Sequence, residues 1–152
     1  MRTVKEMLDT KYKHSNFIEP TMLVIDALEK LTAVNLSYLI VMEGDTFKGI
    51  FSERDYARNL ILKGRSSKDT MVQEVMSTDL PVVPLTKTVE DCMYMMNTKG
   101  TRYLLALNTD NKFEGIITIH DVMREVIANK EEVFDNSLTN ELIDNIESGK
   151  IF

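Results

Sequence analysis

At 152 residues and 43% hydrophobic, the chain can bury one good core, or two half-sized cores packed on each other. Asp and Glu number 24 against 18 Lys and Arg, and the net charge of -6 argues against nucleic acid as a partner. No apolar run approaches the ~20 residues of a membrane span, no signal-peptide core opens the chain, and one cysteine excludes an internal disulfide, so a soluble, cytoplasmic protein is expected.

Val4, Met7 and Leu8 open a short helical pattern in residues 1–16, expected to lie outside the repeat described below and to pack across its second copy. Leu23, Ala27, Leu28 and Leu31, spaced by three and four, predict an amphipathic helix over 23–34. Tyr38 to Met42 is an apolar run of strand length. Glu43-Gly44-Asp45 turns the chain, and Phe47 to Phe51 returns as the second strand of a hairpin. A helix is predicted from Glu53 to about Lys63, closing a first repeat over 17–63. Gly64 to Thr70 is polar and begins a linker over 64–76. The second repeat, 77–130, offers a strand at Val82-Val83, a helix from Thr88 to Lys99, a hairpin of Tyr103–Leu107 with Phe113–Ile117, and a helix from Ile119. The order is β-α-β-β-α, twice. In the tail, 131–152, Val133, Phe134, Leu138, Leu142, Ile143 and Ile146 space like a further helix, interrupted near Asn136-Ser137. Its apolar stripe is expected to pack on the module or on a partner chain.

The copies share their chemistry as well as their pattern. Gly49-Ile50-Phe51-Ser52-Glu53-Arg54-Asp55 recurs as Gly115-Ile116-Ile117-Thr118-Ile119-His120-Asp121. An offset of 66 pairs Phe47 with Phe113, Arg58 with Arg124 and Ile61 with Ile127. An offset of 65 pairs Thr21 with Thr86, Val24 with Val89, Asp26 with Asp91 and Tyr38 with Tyr103. The difference of one is a residue added in the turn Asn108–Asn111. Two copies are too few for a solenoid, and predict a pseudo-two-fold module with two equivalent clefts.

A strand that ends in Ser or Thr and starts a helix gathers unpaired N–H groups and the positive dipole end at one spot, which suits a phosphate. An Asp one turn later offers two acceptors to a ribose diol, and the Tyr, Leu and Ile face of the hairpin offers a slot for a purine. Ser52 with Asp55 and Thr118 with Asp121 equally satisfy the helix-capping signature, which needs no ligand. Both readings stand at this level, and both can hold together.

The two Gly-apolar-apolar-[Ser/Thr]-x-x-Asp strand ends, their hairpins, and the phrase Val75-Met76-Ser77-Thr78-Asp79 leading to Val82-Val83-Pro84 resemble a tandem pair of cystathionine-β-synthase-type (CBS) domains, a Bateman module, over Val4 to Lys130. Phe51 to Arg58 with Lys63 to Ser67 further resembles a small stand-alone subgroup. The resemblance implies an α/β (α+β) fold of two repeats packed sheet to sheet about a pseudo-two-fold axis. It also implies a regulatory role, an adenine-nucleotide ligand (AMP first, with ADP, ATP or NAD), and a homodimer in the form of a flat disc.

The candidate nucleotide contacts are Ser52, Arg54, Asp55 and Ser37 in the first copy, and Thr118, His120, Asp121, Arg102, Tyr103 and Leu80 in the second. Arg102 precedes Tyr103 where Ser37 precedes Tyr38; an arginine can grip phosphate bidentately and a serine cannot, so the second cleft ranks first. Arg65 with Ser66 and Ser67 is either a further anion contact or a plain turn. Two histidines and one cysteine build no transition-metal cluster, and no P-loop, dinucleotide fingerprint or nucleophile elbow is present, so no enzyme, covalent cofactor or metal is expected. Output then passes through shape or contact with an unknown protein partner, and the alternative is a ligand-free interaction scaffold. The helices Tyr56–Leu62 and Val122–Ile127 are the expected dimer surfaces. The ten methionines, Met93, Met95 and Met96 among them, read as core filler, and Cys92 as buried and inert.

Overall fold

The computed structural model describes residues 2–11, 13, 15–129 and 136–151. His14, Val133 and Phe134 lie outside the described residues. The chain opens with α1 (Val4–Thr10), then β1 (Phe17–Ile18), α2 (Val24–Val34), β2 (Tyr38–Glu43) and β3 (Thr46–Ser52). A short α3 (Glu53–Asp55) widens into a π-helix (Tyr56–Leu60) and ends as a 3-10 turn (Ile61–Lys63). A 3-10 turn (Val72–Glu74) leads to β4 (Val82–Pro84), α4 (Val89–Lys99), β5 (Tyr103–Leu107), β6 (Phe113–Thr118), α5 (Ile119–Ala128) and α6 (Asn136–Glu147). These elements form two compact units, Lys13–Asp79 and Met1–Tyr12 with Leu80–Phe152.

Each unit holds a three-stranded sheet, in the orders β1-β2-β3 and β4-β5-β6, with its first strand parallel and its hairpin antiparallel. The alternation of a strand sorts the side chains. Leu39, Val41 and Phe51 enter the core of one unit with Val24, Ala27 and Leu31 of α2. Leu104, Ala106 and Ile117 enter the other with Val89, Met93 and Met96 of α4. On the opposite sheet faces, the cross-strand pairs Ile40–Ile50 and Leu105–Ile116 are buried too. Both hairpins slip by one residue at the same place, between Val41 and Met42 and between Ala106 and Leu107, so each carries a bulge next to its motif glycine.

The segment that opens each copy is built into the other copy's unit. Val4 and Met7 of α1 are buried in the core that contains α4, whereas Val72 and Val75 are buried in the core that contains α2. The docking bonds correspond one for one. Val4 N–H donates to the Lys87 carbonyl at 2.7 Å, and Val72 N–H to that of Met22 at 2.8 Å. The Arg2 carbonyl accepts from Val89 N–H at 3.2 Å, and the Thr70 carbonyl from Val24 N–H at 2.9 Å. The second of these has a local purpose. Leu23 stands at the α2 N-cap and offers no side-chain acceptor, so the Thr70 and Ser67 carbonyls take the first N–H groups instead. Residues 64–70 therefore close a helix end as well as linking the copies.

Two expectations change and one open choice is settled. The helix predicted from Glu53 to Lys63 is regular for only its first three residues, and within the widened turn Asn59 Nδ2 donates to the Val75 carbonyl at 2.9 Å. The α6 stripe is covered by its own chain: Leu142 is fully buried, and Leu138 and Ile146 pack on the same core as α4. Of the expected dimer surfaces, Leu60 and Val122 are fully buried within their own units, leaving Ile61, Leu62 and Ile127 exposed.

Candidate functional site

Each motif lies where a hairpin runs out into a helix. Register sets Tyr38 opposite Ser52 and Tyr103 opposite Thr118, which brings the residue before each tyrosine beside the helix start. Both motifs close the full capping box. Ser52 Oγ accepts from Asp55 N–H at 3.4 Å while Asp55 Oδ2 accepts from Ser52 N–H at 2.9 Å. Thr118 Oγ1 accepts from Asp121 N–H at 3.2 Å and Asp121 Oδ2 from Thr118 N–H at 2.8 Å. The capping reading thus holds at both sites.

A third box calibrates these two. Thr88 and Asp91 close the same bonds at the start of α4, outside either motif. Capping alone therefore does not distinguish the motifs; burial does. Asp55 is 5% exposed and Asp121 6%, and each accepts from a third residue as well. Ser77 Oγ donates to Asp55 Oδ1 at 2.5 Å. Lys11 Nζ donates to Asp121 Oδ2 at 2.8 Å, and Arg124 Nη1 to Asp121 Oδ1 at 3.3 Å. Ser77 and Lys11 also meet equivalent carbonyls: Ser77 N–H donates to Ile50 O, and Lys11 Nζ to Ile116 O, both at 2.9 Å. The electrostatic result differs between the boxes at Asp55 and Asp91. Burial pushes the Asp55 carboxyl above its ordinary value, against the opposing hydrogen bonds from Ser77 and Ser52 and the charge of Arg54. Asp91 is held below the ordinary value, chiefly by the Thr88 N–H.

The motif glycines admit the crossing segments. A Cβ on Gly49 would stand 2.6 Å from the Ser77 carbonyl oxygen, and one on Gly115 would stand 2.7 Å from Leu8 Cδ2. Glycine is required here by close approach rather than by a positive φ.

Among the other candidates, Arg102 accepts the Ile119 N–H on its carbonyl at 2.9 Å, and its Nε is enclosed without a hydrogen-bond partner. Ser37 and His120 are exposed, and Arg54 and Leu80 are half-buried. Arg65 donates to the Glu74 carbonyl at 3.0 Å, and Ser66 Oγ accepts from Lys68 N–H, as a plain turn would. Sequence reasoning missed Ser77 and Lys11. The available signal was the likeness of Val4-x-Glu6-Met7-Leu8 to Val72-x-Glu74-Val75-Met76, which marks equivalent segments ahead of both residues. Among the described residues no helix is long and apolar enough to cross a membrane, and no cluster of three metal-ligating side chains occurs.

The sequence model of the CBS domain matches residues 4–62 and again 72–128. The chain belongs to the CBS domain family. Each match begins at a crossing segment, the first at α1 and the second at the 3-10 turn at Val72. A mitochondrial CBS domain-containing protein of Arabidopsis thaliana, CBSX3, is 34% identical over 115 residues; the alignment covers 72% of this chain and 55% of that protein, so the chain spans about half of its length. A solved CBS-domain protein from Burkholderia ambifaria aligns at 31% identity and a TM-score of 0.75, covering 88% of this chain and 99% of the other. CBSX2 of Arabidopsis, solved in complex with AMP, aligns at 25% identity and a TM-score of 0.68, covering 86% and 99%. The fold of this chain is that of a CBS pair.

Proposed function

We propose that this CBS pair is a regulatory adenine-nucleotide-binding module. The observation that carries the reading is the duplicated, buried motif carboxylate, Asp55 and Asp121, at a strand-to-helix junction in a family with an AMP-bound member. In this reading the carboxylate takes the ribose diol, while the motif hydroxyl and adjacent N–H groups take the phosphate. Arg102, with its enclosed and unpartnered Nε, favours phosphate at the second motif over the first, where Ser37 holds the equivalent place. AMP is the first-choice ligand, with ATP and NAD as competitors. Output follows from the ligand's different affinity for two states of the chain.

The test is a thermal titration with AMP, ADP, ATP and NAD. At about 100 times the dissociation constant the correct ligand adds roughly 2.7 kcal/mol and raises the midpoint clearly. A midpoint unmoved by millimolar amounts of all four defeats the reading. The same proposal includes a homodimer through Ile61, Leu62 and Ile127, which are 52%, 78% and 64% exposed. Light scattering at micromolar concentration is expected to report twice 17.4 kDa, and Leu62→Glu with Ile127→Glu to lower it to one.

A further inference from the structure

The two motif carboxylates are filled in different ways. A carboxylate offers about four lone-pair sites. At Asp55, Oδ2 accepts the Ser52 N–H at 2.9 Å and the Ser52 hydroxyl at 3.0 Å, and Oδ1 accepts the Ser77 hydroxyl. At Asp121, Oδ2 accepts both the Thr118 N–H and the Lys11 ammonium, and Oδ1 accepts the Arg124 guanidinium at 3.3 Å. The arginine side chain is 68% exposed and the Lys11 side chain 20%.

A ribose diol brings two donors to a carboxylate whose lone pairs the chain's own donors already largely take. The oxygen outside the capping bond is the one it can claim, since the other holds the helix start. At Asp121 that means releasing an exposed arginine into water, which costs little. Lys11, on the capping oxygen, stays where it is. At Asp55 the same approach displaces the hydroxyl of Ser77, and Ser77 belongs to the crossing segment that opens the second repeat.

We propose that the first motif is the sensing site and the second a standing site: a nucleotide at Asp55 displaces the Ser77 hydroxyl and loosens the crossing segment, held there by the Ser77–Ile50 backbone bonds, while a nucleotide at Asp121 leaves α1 in place. This rests on the nucleotide reading and adds which of the two sites carries the signal. Ser77 is then a site residue of the first motif, acting as a built-in competitor for the ribose.

The test combines calorimetry with hydrogen exchange on the full chain. AMP is titrated into the native protein, Ser77→Ala and Ser77→Thr, and the isotherms are resolved into two sites. Removing the competing hydroxyl is expected to tighten the weaker site by about tenfold, the lower end of the scale for a hydrogen bond to a charged group, and to leave the stronger site unchanged. Ser77→Thr keeps a hydroxyl and is expected to behave as the native chain. Saturating AMP is expected to speed amide exchange across 72–79 by about threefold while 4–11 stays at its ligand-free rate, and Ser77→Ala is expected to abolish that difference. Exchange that slows across 72–79, or AMP binding that Ser77→Ala does not tighten, overturns this inference alone. Absence of any AMP binding in all three proteins overturns the nucleotide reading, and this inference with it.

Discussion

Asp55 and Asp91 close the same reciprocal bonds with a preceding hydroxyl residue, yet burial sends one carboxyl up and a backbone N–H holds the other down. The consequences for stability have opposite signs. The contribution of Asp55 is fully present below the ordinary value of 3.8 and is lost as the pH rises through its raised folded value. That of Asp91 is present above 3.8 and is lost as the pH falls through its depressed folded value. In urea unfolding, the native chain is therefore expected to gain on Asp55→Asn as the pH falls from 7 to 4, and to lose ground to Asp91→Asn as it falls further, below 3.8. The glycines give a second contrast. Gly49→Ala would press on backbone, the Ser77 carbonyl, and is expected to cost about 2 kcal/mol; Gly115→Ala meets the mobile end of Leu8 and should cost clearly less. Urea midpoints of the two variants check this. Burial also pushes the Cys92 thiol up to about 12, so thiol reagents at pH 8 are expected to label it only after unfolding. At this scale the motif residues were legible because spacing alone marks them. Ser77 and Lys11 were not, because they reach Asp55 and Asp121 across 22 and 110 residues of sequence.

Among the elements, the hairpins and the helices α2, α4 and α5 followed from periodicity, because each has one buried face and a turn at its end. The helix after Ser52 did not. Its apolar spacing is helical, but the widened turn coincides with a long-range bond from Asn59 to the Val75 carbonyl, which no local pattern encodes. The two-residue β1 is too short for an alternation to show, and the structure pairs Phe17 and Ile18 with Ile40 and Val41. The α6 stripe was visible, and the open choice was what it covers. Since Leu142 is fully buried in the core that holds Met93 and Met96, Leu142→Ala is expected to cost about 2–5 kcal/mol, a core value, in denaturant unfolding. Two polar contacts hold the same face: Asn145 Nδ2 donates to Asn97 Oδ1 at 3.1 Å, and Asn97 Nδ2 donates to the Leu138 carbonyl at 3.5 Å.

For the whole molecule, the α1 segment was harder to read than the repeat because it follows its own offset. Val4 answers to Val72, an offset of 68, whereas the bodies of the copies answer at 65 and 66. The crossing that results separates inheritance from folding. A gene fragment cut to the family's own boundaries, 4–62, would lack Val72 and Val75 from the core it has to build, whereas 13–79 would keep every buried residue of that core. Circular dichroism of the two fragments is expected to show a cooperative melt for 13–79 and none for 4–62. A chain of one repeat alone would face the same shortage, and could close its core by lending its first residues to a second molecule and borrowing that molecule's in return. Joining two such genes end to end turns the loan into a matter within one chain, at an effective concentration that dilution cannot reduce.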